Sequence, residues 1–202
     1  FISLRLPISK DLRMRILKSL FAVAALCSLG INSTLADNYV LDDQHTSVVF
    51  AANHFGYSYT YGMFGKYKGG FTIDMNNPSA GKFEFVIDAS SLDTKSAARD
   101  EHLRGPDFFN VKQFPEIKFS STGITADGKK LSIAGNLTMH GVTKAIVMPL
   151  TYLGAGKGPY GKERMGFYGT FKVKRSDFGI KAYVPNIGDD VTLVVSFEGL
   201  KQ

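Results

Sequence analysis

The 202-residue chain is 44% hydrophobic and 21% charged, with a formal net charge of +6. Arg5, Lys10, Arg13, Arg15 and Lys18 against Asp11 put +4 of that charge in residues 1–36, so residues 37–202 carry only +2. That leaves no basic patch to argue for nucleic acid, and the single cysteine, Cys27, lies in the same leading stretch, which excludes disulfide and thiol chemistry from the rest.

The first methionine is Met14, and residues 1–13 read as an over-extended start. From Met14 the chain has the parts of a secretory signal peptide. Arg15 and Lys18 are its positive start, Leu20 to Leu29 its apolar run, and Thr34-Leu35-Ala36 its small-residue cleavage site. The apolar run is shorter than the roughly 20 residues a bilayer span needs. Cleavage is expected after Ala36, which leaves residues 37–202 as one secreted domain, long enough for a core without covalent staples.

Eight segments then alternate apolar and polar residues with the period of half-buried strands. They are 47–55, 61–74, 82–88, 116–122, 130–139, 144–153, 163–175 and 190–199. Asn76-Asn77-Pro78, Ala126-Asp127-Gly128 and His140-Gly141 are turns short enough to join antiparallel neighbours, and Gly154 to Gly161 reads as a longer, mobile loop. Alternation stops only between Ser91 and Pro115, where a helix is expected from about Lys95 to Arg104, followed by a turn carrying Asp107-Phe108-Phe109. Glycines inside the strands, among them Gly62, Gly69, Gly135 and Gly169, favour sharply bent strands over flat ones. The predicted fold is therefore all-β, an eight-stranded antiparallel barrel of lipocalin type, with the one helical insert between strands 3 and 4 as a lid.

A barrel of this size is either filled by its own side chains or holds one slender ligand. Glycines opposite Phe and Met suggest space for an apolar guest, although the same residues could simply pack on one another. The expected ligand-binding residues are Phe50, His54, Tyr61, Phe64, Phe71 and Phe85 from the first strands, and His102, Phe108 and Phe109 from the insert. Phe119, Leu137, Met148, Phe167 and Phe171 complete them from the later strands. Tyr57, Tyr59, Tyr61, Met63 and Phe64 follow the first turn and suit a gate or a membrane-surface contact.

The four histidines, His45, His54, His102 and His140, are at least nine residues apart and unaided by cysteine, so no metal site is predicted. His54 is either a hydrogen-bonded interior histidine or a contact for a ligand head group, and His140 belongs to a turn. Arg99, Asp100 and His102 form either a polar rim that meets a ligand head group or an ion pair with helix capping that pins the lid, and the second is expected for Arg99 and Asp100. No G-x-S-x-G elbow or triad spacing supports hydrolase chemistry, and no catalytic residue or cofactor is assigned.

Several short blocks, taken together and in order, resemble the YceI-like family of secreted bacterial proteins. They include Asp43-x-His45, Gly56-Tyr57-Ser58, Arg99-Asp100-x-His102-Leu103-Arg104, Asp107-Phe108-Phe109, Phe114-Pro115, Leu137-Thr138-x-x-Gly141-Val142-Thr143-Lys144 and Asp177-Phe178-Gly179-Ile180, and the likeness runs from about Tyr39 to Leu200. The resemblance implies a lipocalin-like barrel that holds a polyisoprenoid, or a similar quinone-related amphiphile, in an internal tunnel in the periplasm. It also implies, by analogy, a cytochrome b-type membrane partner; a homodimer and a monomer are both compatible with these residues. Each buried isoprene unit would contribute about 3–4 kcal/mol, against an association cost on the order of 4–15 kcal/mol. Four or more units would then bind without a strong polar anchor, which predicts broad tolerance of chain length and weak selectivity for the head group. The rival readings are a solid barrel that serves as an interaction domain, and an enzyme using His54 or His102 as a base on a prenylated head group.

Overall fold

A computed structural model describes residues 36–202; the expected signal peptide lies almost wholly outside the described residues. Eleven strands form one antiparallel sheet: β1 (Asp37–Leu41), β2 (Ser47–His54), β3 (Ser58–Phe64), β4 (Tyr67–Ile73), β5 (Lys82–Asp88), β6 (Leu92–Asp93), β7 (Glu116–Asp127), β8 (Lys130–Met139), β9 (Val142–Lys157), β10 (Glu163–Lys174) and β11 (Ile187–Lys201). Following the pairings β1-β4-β5-β7-β8-β9-β10-β11 and back to β1 closes a ring of eight. The predicted eight-stranded barrel is present.

The strand boundaries differ from the sequence reading in several places, among them β7, which runs on to Asp127, and the unpredicted β6. The segment 61–74 is two strands, because the chain bends at Gly65-Lys66 between β3 and β4. An unpredicted strand, β1, precedes a 3-10 turn at Asp43–His45, in which the Gln44 amide donates to the Asp42 carboxylate. Instead of a loop from Gly154, β9 runs on to Lys157, because Gly154, Ala155, Gly156 and Lys157 pair with Gly166 to Glu163. The backbone ladder there outweighs the low strand propensity of the glycines.

The two interrupted strands account for the opening in the wall. β11 pairs with β2 over Ile187 to Ser196 and with β1 over Gly199 to Lys201, so β1 and β2 act as one bent strand. β3 and β4 follow them as a second bent strand, paired with β2 and β1 respectively. Along this bent strand β5 runs beside β4 and not β3, from Tyr67↔Ile87 to Thr72↔Lys82. Beside β3 there is instead the two-residue β6, paired at Met63 and Phe64. The wall parts between β3 and β5, and the chain fills the gap with the insert.

The insert holds the only α-helix among the described residues, α1 (Ala97–Arg104), with Ser96 at its N-cap position, making no side-chain capping bond, and Gly105 at its end. It begins two residues later than expected, because Lys95 adopts a left-handed conformation (φ 64) that no α-helix can contain. The predicted turn at Asp107–Phe109 follows it.

One end of the barrel is solid. Phe71 stacks between Tyr39 and Phe83, with centroids 4.9 and 5.2 Å away, and Phe167 meets Phe71, Phe83 and Phe197 edge-on or tilted at 5.2–5.6 Å. Offset and edge-on contacts of this kind add to the burial energy of each ring. Leu131, Ile133 and Leu150 complete this floor. The strand glycines do not leave the space that the sequence suggested: aromatic rings occupy it at Gly62 and Gly135, and the carbonyls of Glu84 and Pro149 occupy it at Gly69 and Gly169. A Cβ at Gly135 would lie 2.5 Å from the Phe119 ring, and one at Gly62 would overlap the Phe50 ring.

Candidate functional site

Above the aromatic floor the inward faces of the strands diverge around a cavity of about 460 Å³. That is within the range of sites that take up small organic ligands. Its wall is overwhelmingly apolar. Val48, Phe50 and Ala52 come from β2, Phe85 and Ile87 from β5, and Phe119 from β7. Leu137 and Met139 of β8, Ile146 and Met148 of β9, Phe171 and Val173 of β10, and Val191, Leu193 and Val195 of β11 complete the strand contribution. Strand alternation puts these residues on one face, and the absence of a facing side chain leaves several, such as Phe171 and Leu193, only half-buried.

The roof is the insert. Arg99, His102 and Leu103 of α1 and Phe108 and Phe109 of the following turn all border the cavity. Three polar groups strap it down. Asp100 is buried and accepts from the amide and the hydroxyl of Thr94, at 2.8 and 2.6 Å. Arg99 donates through Nε to the Thr94 hydroxyl and through Nη2 to its carbonyl. Arg104 donates to the carbonyls of Ser90 and Leu92. The expected Arg99–Asp100 ion pair does not form; both side chains converge on Thr94 instead.

Opposite the lid, Arg175 is 6% exposed and donates to four carbonyls, those of Ile180, Ala182, Ile187 and Gly188. Burial lowers its pKa from the ordinary arginine value, with Asp189 opposing the shift. These bonds shape the loop that carries Tyr183 over the cavity. Tyr183 stacks on Phe108 at 6.1 Å, His102 meets Phe108 edge-on at 5.1 Å, and the Arg175 guanidinium lies 5.9 Å from the same ring. Lid and loop therefore join through one aromatic cluster. His54 and Phe55, in edge contact at 4.8 Å, form the adjacent rim, and the Phe55 amide donates to the Asn186 carbonyl.

Of the residues singled out in the sequence, Phe50, His54, Phe64, Phe85, His102, Phe108, Phe109, Phe119, Leu137, Met148 and Phe171 are brought together around the cavity. Phe71 and Phe167, 3% and 0% exposed, lie in the floor instead. Tyr61 is 64% exposed on the outer face of β3, since the bend at Gly65-Lys66 separates its alternation from that of β4. Tyr57 and Tyr59 share that exposure, while Phe64 points inward.

Arg175, Tyr183, Phe55 and Tyr67 border the cavity without having been identified in the sequence. Burial raises the Tyr67 phenol above its ordinary pKa. The available signal was the arginine ending a strand directly before Asp177-Phe178-Gly179; its partners are all backbone carbonyls, which no sequence pattern displays. His140 is structural, bonding the Phe178 carbonyl at 3.1 Å and packing on Phe114.

A second cluster lies away from the cavity, where ligand atoms of Asp42, His45 and Glu198 come within 4.8 Å of one another. Arg164 already places a guanidinium there, 2.7 Å from Glu198 and 3.5 Å from Asp42, so a metal ion would have to displace a fixed cation.

The cavity offers four hydroxyls, those of Thr46, Thr60, Tyr67 and Tyr183, and none is hydrogen-bonded to a histidine among the described residues; Thr46 donates to the Asp42 carbonyl. What this arrangement provides is an enclosed apolar volume with a polar, aromatic mouth, and so a means of binding.

The sequence and the fold recur in known proteins. "Protein YceI" of Salmonella arizonae is 41% identical over 184 residues, covering 90% of this chain and 96% of that protein. "UPF0312 protein plu2095" of Photorhabdus laumondii is 40% identical over 176 residues, covering 86% and 92%. Among solved structures, Campylobacter jejuni YceI superposes with a TM-score of 0.67 at 32% identity over 74% of this chain and 90% of its own. Burkholderia cenocepacia BcnA gives 0.72 at 23% identity, over 78% and 98%. A polyisoprenoid-binding domain from Saccharophagus degradans gives 0.66 at 16% identity, over 83% and 99%, a likeness of fold. With the YceI-like domain matching residues 39–199, floor, cavity and lid included, the chain belongs to the YceI-like family.

Proposed function

We propose that this protein is a non-enzymatic carrier that holds a polyisoprenoid, or a similarly long amphiphile, with its tail above the aromatic floor and its head beneath the lid. The carrying observation is the apolar cavity of about 460 Å³ under α1. The Saccharophagus neighbour, which binds polyisoprenoid on the same fold, supports the choice of ligand class. Isoprenoid quinones fall within that class. The leading residues read as a signal peptide support a periplasmic site of action, and the exposed Tyr57, Tyr59 and Tyr61 beside the mouth support contact with a membrane surface. Neither the aromatic wall nor the mouth supplies a nucleophile–base pair, which favours carriage over turnover.

Protein purified from its native host without detergent and extracted into an apolar solvent should release close to one equivalent of an isoprenoid or fatty species by mass spectrometry. Protein that emerges empty, and that also takes up no added geranylgeraniol, contradicts the carrier reading.

A further inference from the structure

Two loops meet at the open end of the barrel, and both carry large apolar side chains outward. The β2–β3 turn presents Phe55 and Tyr57, and the 181–187 loop presents Tyr183, Val184 and Pro185, all of them exposed. The Phe55 amide donates to the Asn186 carbonyl at 2.8 Å, and His54 is the register partner of Ile187, so the two loops form one rim. Phe55 and Tyr183 also border the cavity. Apolar surface therefore runs from the interior, through the mouth, to the outside of the protein.

The backbone holds these side chains out against a steric preference. Phe55 and Tyr183 both adopt the left-handed conformation, with φ of 55 and 60, which bulky residues rarely do. Hydrogen bonds fix both loops in it. The Gly56 amide donates to Asn53 Oδ1, the Tyr57 amide to the His54 carbonyl and the Ile187 amide to the Tyr183 carbonyl, while Arg175 holds the carbonyls of Ala182 and Ile187. Strain that the surroundings enforce in this way gathers at functional sites. Tyr57, 90% exposed, gains almost nothing from burial within its own chain, and so its ring is available to whatever covers the mouth.

Charge and cargo decide what that is. From Asn53 to Tyr61 and from Ile180 to Gly188 the chain has no acid, and Lys181 is the only fixed charge in the two segments. Tyr59, two residues beyond Tyr57, borders an outer hollow of about 410 Å³ with Lys172, Lys174 and Asp190. Asp189 lies there too but is held by the amide and hydroxyl of Ser176. Lys172, Lys174 and Lys181 are exposed and make no ion pair among the described residues. Tyrosine rings with lysines beside them suit the head-group level of a bilayer, where the ring is half-immersed and the amine meets phosphate. A mouth that releases an apolar tail must also open onto a medium that dissolves it. No helix among the described residues is long and apolar enough to cross a membrane, so contact through the rim is peripheral.

We propose that the rim of Phe55, Tyr57, Tyr183 and Val184 docks on an anionic phospholipid surface, with Lys181, Lys172 and Lys174 toward the phosphates, and that the cargo passes between cavity and bilayer during that contact rather than through water. This rests on the carrier reading and adds to it the partner surface and the side of the molecule that meets it.

The test uses protein purified from its host without detergent, vesicles of phosphatidylglycerol with phosphatidylethanolamine, and vesicles of phosphatidylcholine. Co-sedimentation should be stronger with the anionic vesicles and should weaken as salt is raised, since exposed charges are screened. Protein loaded with a fluorescent geranylgeranyl probe should deliver it at a rate that rises with vesicle concentration, whereas release into water is independent of it. Tyr57→Ser combined with Val184→Ser should slow delivery several-fold. Lys172→Gln combined with Lys174→Gln should weaken binding to the anionic vesicles by roughly fivefold per lysine. None of these four residues borders the cavity, so affinity for geranylgeraniol, read by displacement of a fluorescent apolar probe, should stay unchanged. Val147→Ser, an exposed site on the outer face of β9, should leave delivery as it is.

Delivery at a rate independent of vesicle concentration overturns the docked rim and leaves the carrier standing, as does equal sedimentation on both kinds of vesicle by parent and variants. Delivery slowed as much by Val147→Ser as by the rim variant places the contact elsewhere and overturns it too. Protein that takes up no probe removes the carrier reading itself.

Discussion

Thr94 shows how single residues set the behaviour of the lid. It is 5% exposed, and its amide, hydroxyl and carbonyl are all engaged by two charged residues of α1. A buried carboxylate that accepts two such bonds is strongly specifying, because removing it strands the donors away from water. Asp100→Ala should therefore destabilise the protein by about 1–3 kcal/mol in urea denaturation. Amide exchange should quicken first in residues 94–104, with the floor strands unaffected. A midpoint and an exchange pattern like those of the unmodified protein would mean that the strap does not hold the insert. Arg175 plays the matching part on the other side of the mouth, arranging carbonyls rather than meeting an acid.

At the scale of elements, β7 enters the barrel beside the end of the insert and carries the most clearly perturbed carboxylate. Glu116 lies between Lys118, 2.8 Å away on the same strand, and Lys68 of β4, 2.9 Å away. The Lys118 bond first and the Lys68 bond second lower its pKa to about 2. A carboxyl of the unfolded chain titrates near 4.3. The folded form therefore binds its proton later, and the stability it contributes is complete above about pH 4.3 and lost as pH falls toward 2. Glu116→Gln should flatten that part of the acid-denaturation profile, and added salt should do the same in the parent, since the triad is accessible to solvent. A profile identical in parent and variant would show that the three charges act independently.

The whole molecule divides the barrel between two tasks. The end built on β1 and β4 is filled by Tyr39, Phe71, Phe83 and Phe167, while the end built on β2 and β3 is hollow and roofed. Stability and ligand binding can therefore be separated by mutation. Ala52 borders the cavity on β2 and is only half-buried, so a larger side chain there has room to enter. Ala52→Phe should keep the thermal midpoint within a few degrees, equivalent to about 1 kcal/mol, and abolish lipid uptake in the probe-displacement titration. Full lipid uptake by a folded Ala52→Phe protein would place the ligand outside the cavity.

Period-two alternation was enough to read eight antiparallel strands, because a strand with one wet face must alternate, and the glycines inside them tipped the choice from a sandwich to a barrel. The same alternation identified Phe50, Phe85, Phe119, Leu137, Met148 and Phe171, which do face the cavity, and the break in it identified the lid. It could not separate floor from cavity. Phe167 and Phe171 lie four residues apart on one face of β10, and only the rings arriving from β4, β5 and β11 bury the first and leave the second facing space. Nor could it place Tyr61, whose direction depends on a bend, or Arg175, whose partners are backbone carbonyls of the loop that follows it. Local pattern determined which side chains point inward; whether they meet one another or an empty volume is a property of packing between distant strands, and the tertiary structure alone decides it.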